Sequence, residues 1–158
     1  MRIVVSSCLL GEKCKYNGGD NCRGELLRLL KMHEVVSVCP EVLGGLPIPR
    51  ESCEIVNGVV RTQTGESKDR EYHSGAQKAL ALALENDVQL AVLQARSPSC
   101  GVHHIYDGTF SKTLIDGKGV FAQFLDQAGI LSYDTEDLED LRLILRNKKT
   151  DRKTIAKK

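Results

Sequence analysis

Six cysteines, at positions 8, 14, 22, 39, 53 and 100, carry most of the chemistry this chain could perform. No two of them are separated by two residues. That spacing excludes a zinc ribbon, a thioredoxin-type redox pair and a ferredoxin run. Neither a P-loop nor a GxGxxG follows the first predicted strand. Any cysteine site must therefore be assembled by the fold from distant positions. In a reducing compartment such thiols serve as metal ligands, catalytic groups or buried core residues rather than disulfides. Soft thiolates favour zinc or an iron–sulfur cluster.

The elements that would position these thiols can be read from periodicity. Residues 2 to 7, RIVVSS, predict a buried strand, and leucines at 26, 27, 29 and 30 predict a helix over 24 to 34 capped by Asp20 or Asn21. Residues 34 to 39 form a β-branched second strand. The connection CPEVLGGLPIPR, with its prolines and glycines, cannot hold regular structure for long. Asn57-Gly58 between two β-branched pairs predicts a hairpin within 53 to 66, followed by an exposed polar stretch to 72. Ser74 is the expected cap of a helix over 75 to 86, and residues 89 to 95 form the most apolar strand. Residues 102 to 118 read as loop with a short strand. A helix over 119 to 129 stops at Gly129, a strand covers 130 to 133, and a helix over 135 to 147 takes Thr135 as its cap. Its acids Glu136 and Asp137 come first and its bases Arg142 and Arg146 last, which suits the helix dipole.

Strands alternating with helices predict a single α/β domain over 1 to 147, a Rossmann-like parallel sheet with helices on both faces. Residues 148 to 158 read as a basic C-terminal tail. The net charge is +1 and aromatic residues make up 4%, so neither an overall field nor a base-stacking platform favours nucleic acid. No run is long enough to span a bilayer. The apolar stretch before Cys8 covers only Ile3 to Val5, too short for a lipoprotein signal, and the expected location is cytoplasmic.

Cys8 follows the first predicted strand, Cys39 the second, and Cys100 lies a few residues past the third. In an open parallel sheet, ligands bind beyond the carboxyl ends of the strands. Three strands thus deliver three thiols to the edge where sites are built. Cys14 shares the loop of Cys8 and is available as a further ligand, whereas Cys22 and Cys53 read as structural. Three thiolates on a metal leave a position open, as a catalytic metal needs.

The segments SSCLLGEKCKYNGGDN, VCPEVLGGLPIPRESCEI, ARSPSCG and IYDGTFS occur in that order. Together they resemble the small bacterial family that includes thiouracil desulfurase, over nearly the whole chain. The resemblance implies a Rossmann-like domain holding a 4Fe-4S cluster by Cys8, Cys39 and Cys100, with the fourth iron position left for substrate sulfur. It implies the removal of sulfur from thiolated pyrimidines such as thiouracil. One departure is that many relatives carry a lysine where this chain has Gln94.

Replacing C=S by C=O is hydrolytic and involves no net electron transfer. It needs a base to activate water. Glu41, two residues past Cys39, is the first candidate and Asp107 the reserve. Ser97 and Ser99, flanking Cys100, are candidates to hydrogen-bond substrate or intermediate, with Ser7 as a helper. Gly44, Gly45 and Gly101 offer close backbone approach and N–H donors. Glu41 also has a structural alternative, as the partner of Arg50 or Arg96, and Ser97 and Ser99 could simply shape the turn at Pro98. His103 and His104 could donate protons or ligate metal, although a pair of loop histidines is more often exposed and idle, and Tyr16 and Asn17 line the pocket or fix their loop. Two rival readings remain. One is a zinc-thiolate site closed by Cys14. The other is a cluster- or zinc-binding sensory module without turnover.

Overall fold

The structure is a computed structural model in which residues 1 to 146 are described; the predicted tail lies outside them. Four parallel strands form the central sheet: β1 (Arg2–Ser6), β2 (Glu34–Val38), β5 (Leu90–Leu93) and β8 (Leu131–Asp134), in the order β2-β1-β5-β8. Val4 of β1 pairs with Val36 on one side and Ala91 on the other, and Ala91 pairs with Ser132. Two antiparallel hairpins stand apart from this sheet. The first joins β3 (Cys53–Val56) to β4 (Val59–Thr62) through Asn57 and Gly58, both at positive φ as the Asn-Gly signal requires. The second joins β6 (His104–Tyr106) to β7 (Leu114–Asp116), where a single short strand was expected.

Helices cover both faces. Because side chains alternate along a strand, Ile3 and Val5 point to one side of β1 and Val4 to the other. Ile3, Val5 and Val92 are buried with Leu26 and Leu30 of α1 (Gly24–Leu30) and Leu141 and Leu145 of α5 (Leu138–Arg146). Val4, Ala91 and Leu93 are buried with Ala76, Ala79 and Ala83 of α3 (Asp69–Glu85) and Phe121 and Leu125 of α4 (Val120–Gln127). The chain leaves β1 towards β2 and later steps from β5 towards β8, so the strand order reverses between β1 and β5. That switch point is where a parallel sheet opens a crevice beyond its strand ends.

Several local expectations need correction. α3 begins at Asp69, not after Ser74, because Ser67 Oγ accepts the Asp69 N–H and Asp69 Oδ1 accepts the Val60 N–H, tying the first turn to the hairpin. The stretch read as exposed therefore includes Tyr72, which is buried. α1 starts after Arg23 without a side-chain cap, and Asp20 instead accepts the Cys22 N–H. Thr135 does not cap the last helix; its hydroxyl accepts the Ala95 N–H and so joins the loops after β5 and β8. Residues 7 to 10 form an unforeseen 3-10 turn that carries Cys8 off the end of β1. Gly119 precedes α4 rather than opening it.

A four-residue helix, α2 (Pro40–Leu43), follows Cys39 directly and rests on α3. The contact is made by backbone. A Cβ on Gly75 would lie 1.7 Å from Pro40 O, and one on Gly44 would lie 1.9 Å from Glu71 O. Neither obstacle is a movable side chain, so only glycine fits, and α2 owes its depth to this pair. Gly75→Ala should destabilise the protein by about 1–3 kcal/mol in urea unfolding, the usual cost of overpacking. Gly24→Ala, whose Cβ would meet only the end of the Arg28 side chain at an ordinary 3.5 Å, should leave stability unchanged or slightly higher. Equal behaviour of the two variants would refute the close contact.

Candidate functional site

Beyond the carboxyl ends of β1, β2 and β5 lies a cavity of about 560 Å3. Cys8, Cys39 and Cys100 all line it, as do Cys14, Glu41, Ser97 and Ser99. The size suits a small ligand. Cys8 comes from the 3-10 turn after β1, Cys39 immediately precedes α2, and Cys100 ends the SPSC turn after β5. The third loop is held hard against α4. Pro98 O and Ser99 O accept the first N–H groups of that helix, from Val120, Phe121 and Ala122, and Gly101 O accepts the Gly119 N–H. These carbonyls do the work of a side-chain cap. A Cβ on Gly119 would sit 2.5 Å from Ser99 C, so glycine is needed there for the loop to dock.

The thiols are not equivalent. Hydrogen bonding from Cys14 lowers the pKa of Cys8, outweighing burial, with Asn21 helping. The same donor brings Cys39 down to about 7 against burial, aided by the Val42 N–H of α2. Cys14 itself is held protonated, chiefly by Cys39 and then by Cys8. Cys100, only 4% exposed, is pushed up to about 12 by burial, partly countered by Ser6 and Ser99. Among the described residues no three cysteine Sγ atoms lie within 4.8 Å of one another. Sulfurs on one tetrahedral zinc ion stand about 3.8 Å apart, from bonds of about 2.3 Å. Soft thiols converging on one cavity make a donor set of the kind that zinc or an iron–sulfur cluster takes. Cys22 is exposed, whereas Cys53 is buried at the start of β3 and borders the cavity.

Glu41, the candidate base, is held at both carboxylate oxygens. Its Oε1 accepts from Arg50 at 3.0 and 3.1 Å, and its Oε2 accepts from Ser99 Oγ at 2.8 Å. Of the two arginines weighed as partners, Arg50 makes the pair, while Arg96 faces Glu136 at 3.6 Å. The Arg50 guanidinium also donates to Cys14 O and Pro47 O. Ser97 Oγ accepts the N–H groups of Ser99 and Cys100 and lies 2.9 Å from Ser99 Oγ. Because Ser99 gives its proton to Glu41, Ser97 must give its own to Ser99. The two serines therefore both shape the turn and form an ordered line of hydroxyls ending on the carboxylate.

Other candidates fall away from the cavity. Asp107 closes a turn on Thr109 through its N–H and hydroxyl and does not line the site. The N–H groups of Gly44, Gly45 and Gly101 are taken by Pro40 O, Val42 O and Ser97 O, so they cannot serve a ligand as expected. Ser7 reaches the cavity, with its hydroxyl 2.6 Å from Ser37 Oγ. Tyr16 lines the pocket while Asn17 fixes its loop by accepting the Gly19 N–H. Lys15, Tyr106, Phe110 and Lys112 complete the wall and were not singled out from sequence, since nothing local marks them.

His103 belongs to the corner between β8 and α5, where its ring lies 2.6 Å from Asp137 Oδ2. Burial lowers its pKa, but Asp137, Asp134 and Glu136 together raise it more, and the net shift is upward. A raised folded value means that the added stability is complete below the unfolded pKa and is lost as pH rises through the folded one. Thermal melts of His103→Gln should show a deficit against the parent near pH 5.5 that shrinks by pH 8.5, on either side of the usual value of about 6.5. The deficit should be small, since the ring is nearly half exposed. A deficit that grows with pH would contradict the assignment.

With the geometry in place, comparison with known proteins is informative. Residues 3–137 match the 2-thiouracil desulfurase family model. The chain is 40% identical over 149 residues to the uncharacterized protein YbbK of Bacillus subtilis (strain 168), covering 88% of this chain and 99% of that one. A solved structure, the 4Fe-4S-dependent thiouracil desulfidase TudS, superposes with a TM-score of 0.84 at 35% identity, covering 92% of this chain and 97% of that one.

Proposed function

Since the chain belongs to the 2-thiouracil desulfurase family, we propose that it is a 4Fe-4S-dependent enzyme that converts the C=S of thiolated pyrimidines such as thiouracil to C=O. The observation that carries this reading is the meeting of three thiols from three separate strand ends with the Ser97–Ser99–Glu41 line in one cavity. Cys8, Cys39 and Cys100 are the ligands. Bound there, the cluster would supply Lewis-acid chemistry towards the thiocarbonyl.

The remaining work falls to the chain. Arg50 fixes the Glu41 carboxylate through Oε1 and leaves Oε2 towards Ser99. Glu41 takes one proton from the attacking water and returns it to the departing sulfur, which leaves as hydrosulfide; the other proton is released from the new hydroxyl as C=O forms, so the balance is water in, hydrosulfide and one proton out. Once Glu41 has taken the water proton, the Ser99 hydroxyl, 3.6 Å from the Cys100 sulfur, turns its one proton from Oε2 to the oxygen that develops charge. Cys14 keeps its proton and acts as a hydrogen-bond donor to the ligand sulfurs rather than as a fourth ligand.

Anaerobic reconstitution followed by iron and acid-labile sulfide analysis tests the cofactor. Near four of each per chain is expected by the stoichiometry of the cluster. Cys8→Ala, Cys39→Ala and Cys100→Ala should each lose the cluster, while Cys53→Ala should keep it. Zinc alone, or a cluster that survives loss of Cys100, would overturn the ligand set. Glu41→Gln should retain the cluster spectrum yet slow thiouracil turnover by about 10²–10⁴-fold, the range for a general base. Full activity in that variant would remove Glu41 from the mechanism.

A further inference from the structure

Gln94 is the first residue past β5, on the β1 side of the switch point, and it lines the cavity. Its backbone N–H is taken by Ser6 Oγ at 3.1 Å, and its Nε2 donates to Ala95 O at 3.3 Å. Its Oε1 is buried and has no hydrogen-bond partner. Buried carbonyl oxygens are almost always satisfied, and one left alone calls for an explanation. Among the described residues one other buried side-chain atom lacks a partner, His104 Nδ1, which stands outside the cavity and 3.5 Å from Glu136. Several other polar groups of the cavity are already engaged. Glu41 is held by Arg50 and Ser99, Asn21 by Lys15 and Cys8, and Ser97 by the turn it organises.

We infer that Gln94 Oε1 is the acceptor for the ring N–H adjacent to the thiocarbonyl of the substrate. This rests on the desulfurase reading and sharpens its substrate class. A pyrimidine whose sulfur is held on one side of the cavity must also be fixed in rotation about that sulfur. A thiolactam offers one polar group next to C=S that can do this, its N–H, which is a donor. Gln94 carries the matching acceptor, which a turn of its amide about the soft terminal torsion brings to the cavity it lines. Substrates must therefore be secondary thiolactams, H–N–C=S. A buried acceptor rejects a ligand that lacks the donor far more strongly than an apolar wall rejects a spare methyl group. Because the same oxygen is unsatisfied in the free protein, it is a site where stability is given up for recognition.

The test compares 4-thiouracil, 1-methyl-4-thiouracil and 3-methyl-4-thiouracil on the reconstituted parent and on Gln94→Met, which keeps the side-chain length and removes the acceptor. The parent should act on the first two and poorly on the third, which lacks the N–H beside C=S. Gln94→Met should lose at least about tenfold in kcat/KM on the first two, the effect of one buried hydrogen bond, with no change on the third. A second readout needs no turnover: Tm of the cluster-free variant should stay close to that of the parent, since the one bond lost is the 3.3 Å contact from Nε2 to Ala95 O and the removal of the unpartnered Oε1 offsets it. A variant that keeps the parent's preference, or that melts well below it, overturns the role of Gln94 while leaving desulfuration intact. A cluster-loaded parent inactive on all three compounds overturns the desulfurase reading, and the inference with it.

Discussion

The ion pair between Glu41 and Arg50 ties the site together. The Arg50 side chain is 6% exposed and that of Glu41 14%, so both charges lie largely out of water. Making such a pair yields little net stability, but removing one partner typically costs about 3–5 kcal/mol because the other charge is stranded. The value of the pair is therefore positional. Glu41 stands on α2, behind Cys39. Arg50 reaches from the following connection to Cys14 O in the β1 loop, and Ser99 brings the β5 loop to Oε2. Three chain segments that carry cysteines are thus registered on one carboxylate.

The sheet supplies what the pair cannot. Parallel strands bring distant segments to one edge, and the switch between β1 and β5 opens that edge. Depth comes from glycine. Gly44 and Gly75 let α2 sink onto α3, and Gly119 lets the SPSC turn dock on the start of α4. At both places the obstacle to any larger residue is backbone, which cannot move aside. The site is accordingly built on rigid supports, and its loops are held by main-chain bonds rather than by exposed side chains.

This division explains what the sequence made legible. β-branched runs and an Asn-Gly turn are local signals, and they located the strands and the first hairpin. The three cysteines could be placed because a topological rule, not a contact, puts strand ends together. Contacts between loops were beyond reach. Nothing near Glu41 chooses Arg50 over Arg96, and nothing near Thr135 reveals that its hydroxyl serves Ala95. The start of α3 was missed because Ser74 looked like a cap, whereas the actual first turn is fixed by Val60, a residue of another element. The glycine N–H groups were misjudged for the same reason, since their acceptors are known only once the turns are built.

The thiols of the proposed site differ in what each needs to lose its proton. Cys8 and Cys39 lie below the ordinary thiol value, chiefly through the one S–H of Cys14 that stands between them, while burial pushes Cys100 up to about 12. Deprotonating Cys100 with nothing bound would place a bare thiolate in an apolar environment, a costly state. A metal cation beside it removes that cost, so binding and proton release are linked at this one residue. In the proposed ligand set, the thiol that most needs a cation in order to lose its proton thus sits in the turn locked to α4.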